Sequence, residues 1–397
     1  MLRIKKTLLL TIVSIALGVL ITGCGGGNQP EQEKSETKEA FKIGVVLDIS
    51  GPASSLGVPE RDSIKLIEKQ LNAQGGINGN PVEFIIRDNE SDESKGVMAV
   101  KDLIEKEKVL AIVGSSTSGT SMAMVPTATS AGVPMVSAAA SIKIIEPVAE
   151  RKWIFKTANN DSHVATKIIE HLKSKGISKV AFMLQDNAYG DSGKKEFSKV
   201  AKEQGITIVA EEKFGAQDKD MTPQLTRIKG KGKEVEAVVI WAIPPSASIV
   251  TANFKQLGLG MPLYHSHGIG NKKFIELAGG AANGVLFPTG KLLIANDLPD
   301  SDPQKALLLD YVKAYKAEYN AAPSTFGGHA WDGMQVVLEA LKKSGGDRAK
   351  LRDELENTKG FVGITGIFDM SANDHNGLST KDLVIVEIVN GQWKLAK

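Results

Sequence analysis

Two short loops carry the residues best able to do chemistry in this chain. The first, Ser115 to Ser121, is a run of Ser, Thr and Gly that follows the apolar run Val109–Val113 and Gly114. The second, Ser137–Ser141, is Ser and Ala only and follows the apolar run Val133–Val136. Small residues let backbone N–H groups approach a ligand closely, and hydroxyls add donors. A small-residue helix is predicted after the first loop, ending at Ala131–Gly132, and it would point its positive end at the same place. That chemistry suits a carboxylate. The alternative is that the hydroxyls only cap a helix. His265 and His267 form a second candidate group. They alternate on a predicted strand, so they would share one face and form half a metal site. No Glu-x-x-His spacing accompanies them, and the chain's one cysteine, Cys24, lies far off. A serine nucleophile in the first loop with His267 as base lacks any positioned third member. The chain contains no Gly-x-x-x-x-Gly-Lys-Ser/Thr loop, no Gly-x-Gly-x-x-Gly and no Gly-x-Ser-x-Gly. Neither an enzyme nor a cofactor is therefore expected.

The elements that must position these loops follow from the spacing of apolar runs. Val109 to Ser141 reads as strand, helix and strand with both strands buried, the pattern of a parallel sheet. Before it, Phe41–Asp48 and Val82–Arg87 read as strands. Helices are predicted from Glu60 to Asn72 and from Glu93 to Lys106. A second β-α series follows. Its strands are Lys179–Leu184, Ile206–Phe214, Ala237–Ile243 and Pro262–His267. Its helices include Ser162–Lys175, one after Tyr189-Gly190 and Ser246–Leu257. The pattern then changes. Gly284–Thr289 is extended, three helices lie between Asp302 and Asn357, and Gly363–Met370 and Leu383–Val389 are late strands. A helical block after two β-α series implies that the chain returns to its first lobe. The last strands would then rejoin the second lobe. Ligands of open parallel sheets sit outside the carboxyl ends of the strands, so the cleft between two such lobes is the expected site.

Composition bounds the rest. The chain has 397 residues, 42% apolar and 24% charged, with a formal charge of +2. Arg3, Lys5 and Lys6 supply three positive charges, so the chain from Cys24 onward carries −1. Nothing suggests nucleic acid as a partner. Residues 1–23 read as a secretory signal, with a basic start and an apolar core from Leu8 to Ile21. A span of the membrane is the alternative, but the run is short for one. Residues 24–40 are polar and aperiodic and read as a flexible tether.

Several stretches together resemble the type I periplasmic binding proteins, and among them the leucine/isoleucine/valine-binding proteins of ABC transporters. They are KIGVVLDISGPASSLG, NAQGGINGNPVEFIIRDNESD, the Val109–Ser141 stretch and QDNAYGDSG. The resemblance covers about residues 41 to 390. It implies an α/β fold of two Rossmann-like lobes with parallel sheets joined by a multi-crossing hinge. Lobe one would be 41–158 with 289–366, and lobe two 159–288 with 367–397. Ile21-Thr22-Gly23-Cys24 resembles a lipobox, which implies lipidation of Cys24 and an extracytoplasmic protein held to a bacterial membrane by lipid alone. The resemblance further implies a monomer that delivers a small carboxylate solute, an amino acid, keto acid or aromatic acid, to an ABC permease. A sensory module signalling to a membrane receptor is the alternative.

By motif position the family's carboxylate contacts fall on Ser118, on the Ala139 backbone and on Ser141. The family tyrosine falls on Tyr189 and an acidic residue on Asp161, for which a helix N-cap is the alternative reading. Departures are as informative. His267 stands where the family places an acid for the α-ammonium. Family aromatics are replaced by Leu56 and by Ile243 or Pro244. The resemblance with these departures predicts a solute without a free α-ammonium. His329, in GGHAWDG, is read as a late helical residue with a core or surface role, the cleft being the alternative.

Overall fold

The computed structural model describes residues 39–396, so the signal-like segment and Cys24 lie outside the described residues. The first sheet contains β1 (Phe41–Leu47), β2 (Val82–Asp88), β3 (Ala111–Gly114), β4 (Met135–Ser137) and β5 (Ile154–Lys156), all parallel, in the order β2-β1-β3-β4-β5. Helices α1 (Ser54–Ala73), α2 (Glu93–Glu105) and α3 (Ser118–Ser130) connect the first four strands. After β5 come α4 (Asp161–Ser174), β6 (Lys179–Gln185), α5 (Ala188–Gln204), β7 (Thr207–Phe214), α6 (Thr222–Gly230), β8 (Ala237–Trp241), α7 (Ser246–Gln256), β9 (Leu263–His265), α8 (Lys272–Ala278) and β10 (Val285–Thr289). The helical block is α9 (Lys305–Tyr319), α10 (Thr325–Ser344) and α11 (Arg348–Glu356). A short hairpin, β11 (Phe361–Val362) with β12 (Ile367–Phe368), follows, then β13 (Val384–Val389) and β14 (Gln392–Leu395). The second sheet runs β14-β13-β10-β9-β8-β6-β7, with β13 antiparallel to β10 and β14 antiparallel to β13.

The helical block packs on the first sheet, where α10 lies against α1, β3 and β4. The chain therefore passes between the two lobes three times: after β5, after β10 and after β12. Side chains tie these passages together. Asn376 Nδ2 donates to the carbonyls of Lys156 (3.1 Å) and Ala158 (2.9 Å), and His375 stacks on Phe155 with centroids 4.3 Å apart.

Both lobes bury apolar strands between helices, as parallel sheets require. In the first, Val46, Ile112 and Met135 pack against Val100, Leu103 and Met124 of the covering helices. In the second, Phe182, Val239 and Trp241 pack against Ile168, Phe197 and Val200. The strand spacing expected from the sequence matches these elements closely, except that Gly363–Met370 is not a strand of the second lobe. It turns at Gly363–Gly366, so only Ile367–Phe368 is extended and pairs locally in the separate β11–β12 hairpin. Two helix starts differ. Helix α1 begins at Ser54, well before Glu60, and carries Pro59 inside it. Proline lacks the N–H that would bond the carbonyl four residues earlier. That carbonyl, Ser55 C=O, instead accepts from Asn271 Nδ2 of the second lobe (3.4 Å). Helix α3 begins at Ser118, so the first chemical loop is shorter than its composition suggests.

Candidate ligand-binding cleft

The carboxyl ends of β3 and β4 face those of β6, β8 and β9 across a cavity of about 270 Å³. Ser118 and Gly119 at the start of α3, and Ala138 to Ala140 after β4, line it from the first lobe. Tyr189 at the start of α5, Ile243 to Pro245 after β8, and His267 with Gly268 after β9 line it from the second. Leu56 of α1 and Phe326 and His329 of α10 complete the walls.

Backbone conformation brings the first loop into place. Gly114 ends β3 at φ +120°, and a Cβ there would stand 2.0 Å from the Val46 carbonyl. No other residue type fits that turn. Most of the loop hydroxyls that follow are turned inward. Ser115 Oγ donates to Asp48 Oδ2 (2.9 Å), and Ser116 Oγ donates to Glu60 while accepting from the Asp48 N–H. Asn89 Nδ2 holds the other Asp48 oxygen at 2.8 Å. Burial pushes both carboxyls up, Glu60 far above the usual range, with the Asp48 charge adding to the effect there. Thr117 Oγ1 donates to Thr120 (3.0 Å), and Ser121 pairs with Ser137 (2.8 Å). Ser118 differs. Its oxygen accepts from the Ser141 N–H (3.2 Å), which leaves its own proton for the cavity.

Six of the eight residues expected at the ligand line this one cavity: Leu56, Ser118, Ala139, Tyr189, Ile243 and His267. The Ala139 N–H is already committed to Ser137 Oγ (3.1 Å). Ser141 and Asp161 lie outside the lining, both fully buried. The Ser141 hydroxyl donates across the lobes to Ser192 Oγ (2.8 Å), and Ser192 donates to Asp161 Oδ2 (2.5 Å). This chain is internal to the protein because Ser192 of α5 stands between the two residues. Asp161 is not the N-cap of α4 either; Asn160 holds that place. Lys156, also fully buried, donates to the Ala158 carbonyl and to Asn160 Oδ1 (2.9 Å). Burial drives the Lys156 ammonium down and the Asp161 carboxyl up, each opposed by the charge of the other.

The expected shared face of His265 and His267 is not formed. Strand β9 stops at His265, and a tight helical turn begins at His267, which breaks the two-residue alternation. His265 Nε2 meets Thr251 Oγ1 at 2.9 Å and its ring packs edge-on against Phe274, away from the cavity. Among the described residues no group of three or more His, Cys, Asp or Glu is placed to hold a metal ion.

On the second-lobe side, Trp241 supports the floor. Its ring centroid lies 6.1 Å from that of Tyr189 and 6.4 Å from that of His267. Tyr189 O–H donates to Ser266 Oγ (2.9 Å) and its oxygen faces His267 Nδ1 at 3.4 Å. Burial holds the His267 ring well below its usual pKa and that of His329 down at about 3, so both are neutral. His329 is a lining residue that spacing alone did not place, since GGHAWDG reads equally as a core helix. Gln185 is another. It sits at the strand end in QDNAYG and accepts from the Ile243 N–H (3.1 Å). Position at a strand end was the available signal for it.

Two open α/β lobes meeting at their carboxyl strand ends over one polar-lined cavity, linked by three chain passages, define a two-lobed solute-binding protein. Sequence comparison agrees. Residues 40–392 match the periplasmic binding protein family. The leucine-, isoleucine-, valine-, threonine- and alanine-binding protein of Pseudomonas aeruginosa is 26% identical over 359 residues, which span 89% of this chain and 91% of that protein. An extracellular ligand-binding receptor from Rhodopseudomonas palustris HaA2 superposes with a TM-score of 0.85 at 28% identity, over 90% of this chain and 100% of that one. The branched-chain amino acid transporter substrate binding protein LivJ from Streptococcus pneumoniae, solved with isoleucine, gives 0.80 at 28%, over 90% and 99%. The chain belongs to the type I periplasmic binding proteins of the branched-chain amino acid family, which are solute-binding proteins and not enzymes.

Proposed function

We propose that this chain captures a small carboxylate lacking a free α-ammonium between its lobes and delivers it to an ABC permease. The carrying observation is the charge of the cavity wall. Among the described lining residues there is no Lys or Arg, and the one carboxylate, Glu93, is exposed. A carboxylate solute would be held by the Ser118 hydroxyl and the start of α3, which favours negative charge. An ammonium sealed into the same space would lose its water and find neither a buried carboxylate nor a charged partner. The position His267 occupies offers a neutral ring, and Asp161 is held by Ser192 outside the lining. The P. aeruginosa relative is named for amino acids and the S. pneumoniae neighbour holds isoleucine. Those names support an importer, and the wall chemistry supports a ligand different in class from theirs. Titration calorimetry with leucine, valine and phenylalanine beside branched keto acids and benzoate is the test. Keto or aromatic acids are expected to bind and free amino acids not. Tight, saturable binding of a free amino acid would overturn the reading.

The lobes are proposed to comprise 41–158 with 289–366 and 159–288 with 367–397, hinged at the three passages. The signal-like residues 1–23 and the lone Cys24 support a lipid anchor outside the cytoplasm. Among the described residues no helix is long and apolar enough to cross a membrane. Cys24→Ser is expected to release the protein from the membrane fraction or leave the signal uncleaved. Normal processing and retention in that variant refutes the anchor.

A further inference from the structure

His267 and His329 reach the cavity from opposite lobes, one after β9 and the other on α10. The ring partners fix which nitrogen carries the proton. Tyr189 gives its one proton to Ser266, and its oxygen also takes the Gly268 N–H. Towards His267 Nδ1 it is left only to accept, so the proton sits on Nδ1. A Cβ at residue 268 would stand 3.0 Å from the tyrosine oxygen, so glycine there permits this packing. On α10, His329 Nδ1 meets Thr365 Oγ1 at 2.9 Å. Burial pushes the Asp332 carboxyl up to about 7, and the Thr365 hydroxyl opposes this by donating to a group whose two oxygens both act as acceptors. The Thr365 oxygen then accepts from His329 Nδ1–H. Asp332 fixes this loop further, taking the Ile364 and Thr365 N–H groups at 2.7 Å each. Each neutral ring therefore has its N–H turned into the protein and keeps a lone pair on Nε2. Both residues are more than nine-tenths buried, and both line the cavity.

We propose that His267 and His329 are paired hydrogen-bond acceptors, one from each lobe, that select a carboxylate solute carrying one or more hydroxyl groups. The assignment rests on the small-carboxylate reading above and narrows its class. A carbonyl oxygen turned to these lone pairs would be repelled, and an unsubstituted hydrocarbon would leave both unpaired on closure. A hydroxyl supplies the missing proton without bringing charge. The Lys156 ammonium, whose field reaches both rings, further favours a neutral donor over a cationic one. Because the acceptors come from both lobes, a hydroxyl on the solute would be satisfied fully only with the lobes closed.

The test is calorimetry on the full chain with small aromatic and branched-chain carboxylates, each paired with its hydroxylated counterpart. Benzoate is set against 4-hydroxybenzoate and 3,4-dihydroxybenzoate, and 4-methylpentanoate against 2-hydroxy-4-methylpentanoate. At least one hydroxylated member is expected to bind about tenfold more tightly than its partner, in keeping with one net hydrogen bond. His329→Phe is expected to erase that preference. Thr365→Val keeps the ring but frees its tautomer, and it should reduce the preference even where His329→Phe folds poorly. Equal affinity within every pair, or a preference unmoved by both variants, overturns the assignment and leaves the carboxylate reading standing. Binding of no member of any pair overturns both.

Discussion

Trp241→Ala is expected to cost about 3–5 kcal/mol of folding stability, the usual range for removing a large aromatic from a close-packed core. Trp241 is the last residue of β8 and is wholly buried. Its ring lies 6.1 Å from Phe182 on the core side and supports Tyr189 and His267 on the cleft side. The same change should therefore weaken solute binding, because the floor that holds both cleft residues is lost. Gly193 of α5 supplies an internal check. A Cβ there would stand 2.2 Å from the indole nitrogen. Gly193→Ala is expected to be destabilising in the native background and close to neutral once Trp241 is alanine, a coupling readable from a double-mutant cycle. Chemical denaturation of the four proteins measures it. A loss below about 1 kcal/mol for Trp241→Ala would show that the site does not rest on this ring.

Ser118→Ala is expected to weaken binding of the solute by roughly ten- to a hundredfold. A hydrogen bond to a charged group contributes about 1.5–3 kcal/mol, and each 1.4 kcal/mol is tenfold in affinity. Ser118 keeps a proton for the cavity, whereas those of Ser115, Ser116 and Thr117 are given to Asp48, Glu60 and Thr120. From sequence alone the substitution is expected to leave the melting temperature of the free protein unchanged, on the view that the loop faces solvent. The structure alters that part. Ser118 is buried, and its oxygen accepts the Ser141 N–H. The alanine variant should also lose about 1 kcal/mol of stability for the stranded donor. Calorimetry and thermal denaturation read the two effects separately. Unchanged affinity would place the carboxylate elsewhere.

The spacing of apolar runs determined most of the architecture. Runs such as Val109–Val113, Val133–Val136 and Ala237–Trp241 are short, continuous and closed by small residues or turns, which only buried parallel strands combine. The alternation of such runs with helical stretches gives two open sheets, and the placement of ligands at their carboxyl ends follows from that topology. The small-residue loop at Ser115 to Ser121 was legible for this reason, since a strand end is a local property of the chain. Ser118, Tyr189 and His267 were singled out within such strand ends by the family resemblance, and all three line the cavity.

What the tertiary structure decided was ownership of the polar groups. Seven small residues in a row, Ser115 to Ser121, cannot state which hydroxyl faces a ligand. The choice is made by Asp48 and Glu60, 67 and 56 residues earlier in the chain than the hydroxyls of Ser115 and Ser116 that their buried carboxyls claim, with Asn89 holding Asp48 in place. Ser141 and Asp161 fit the motif, yet Ser192 of another helix takes both. His329 lies on a helix buried on most sides, where periodicity marks every inward position alike. Its exposure to the cavity arises only when α10 packs across the strand ends of the first lobe. Local spacing encodes which face of an element is buried; which partner waits on that face is set by the packing of segments far apart in sequence.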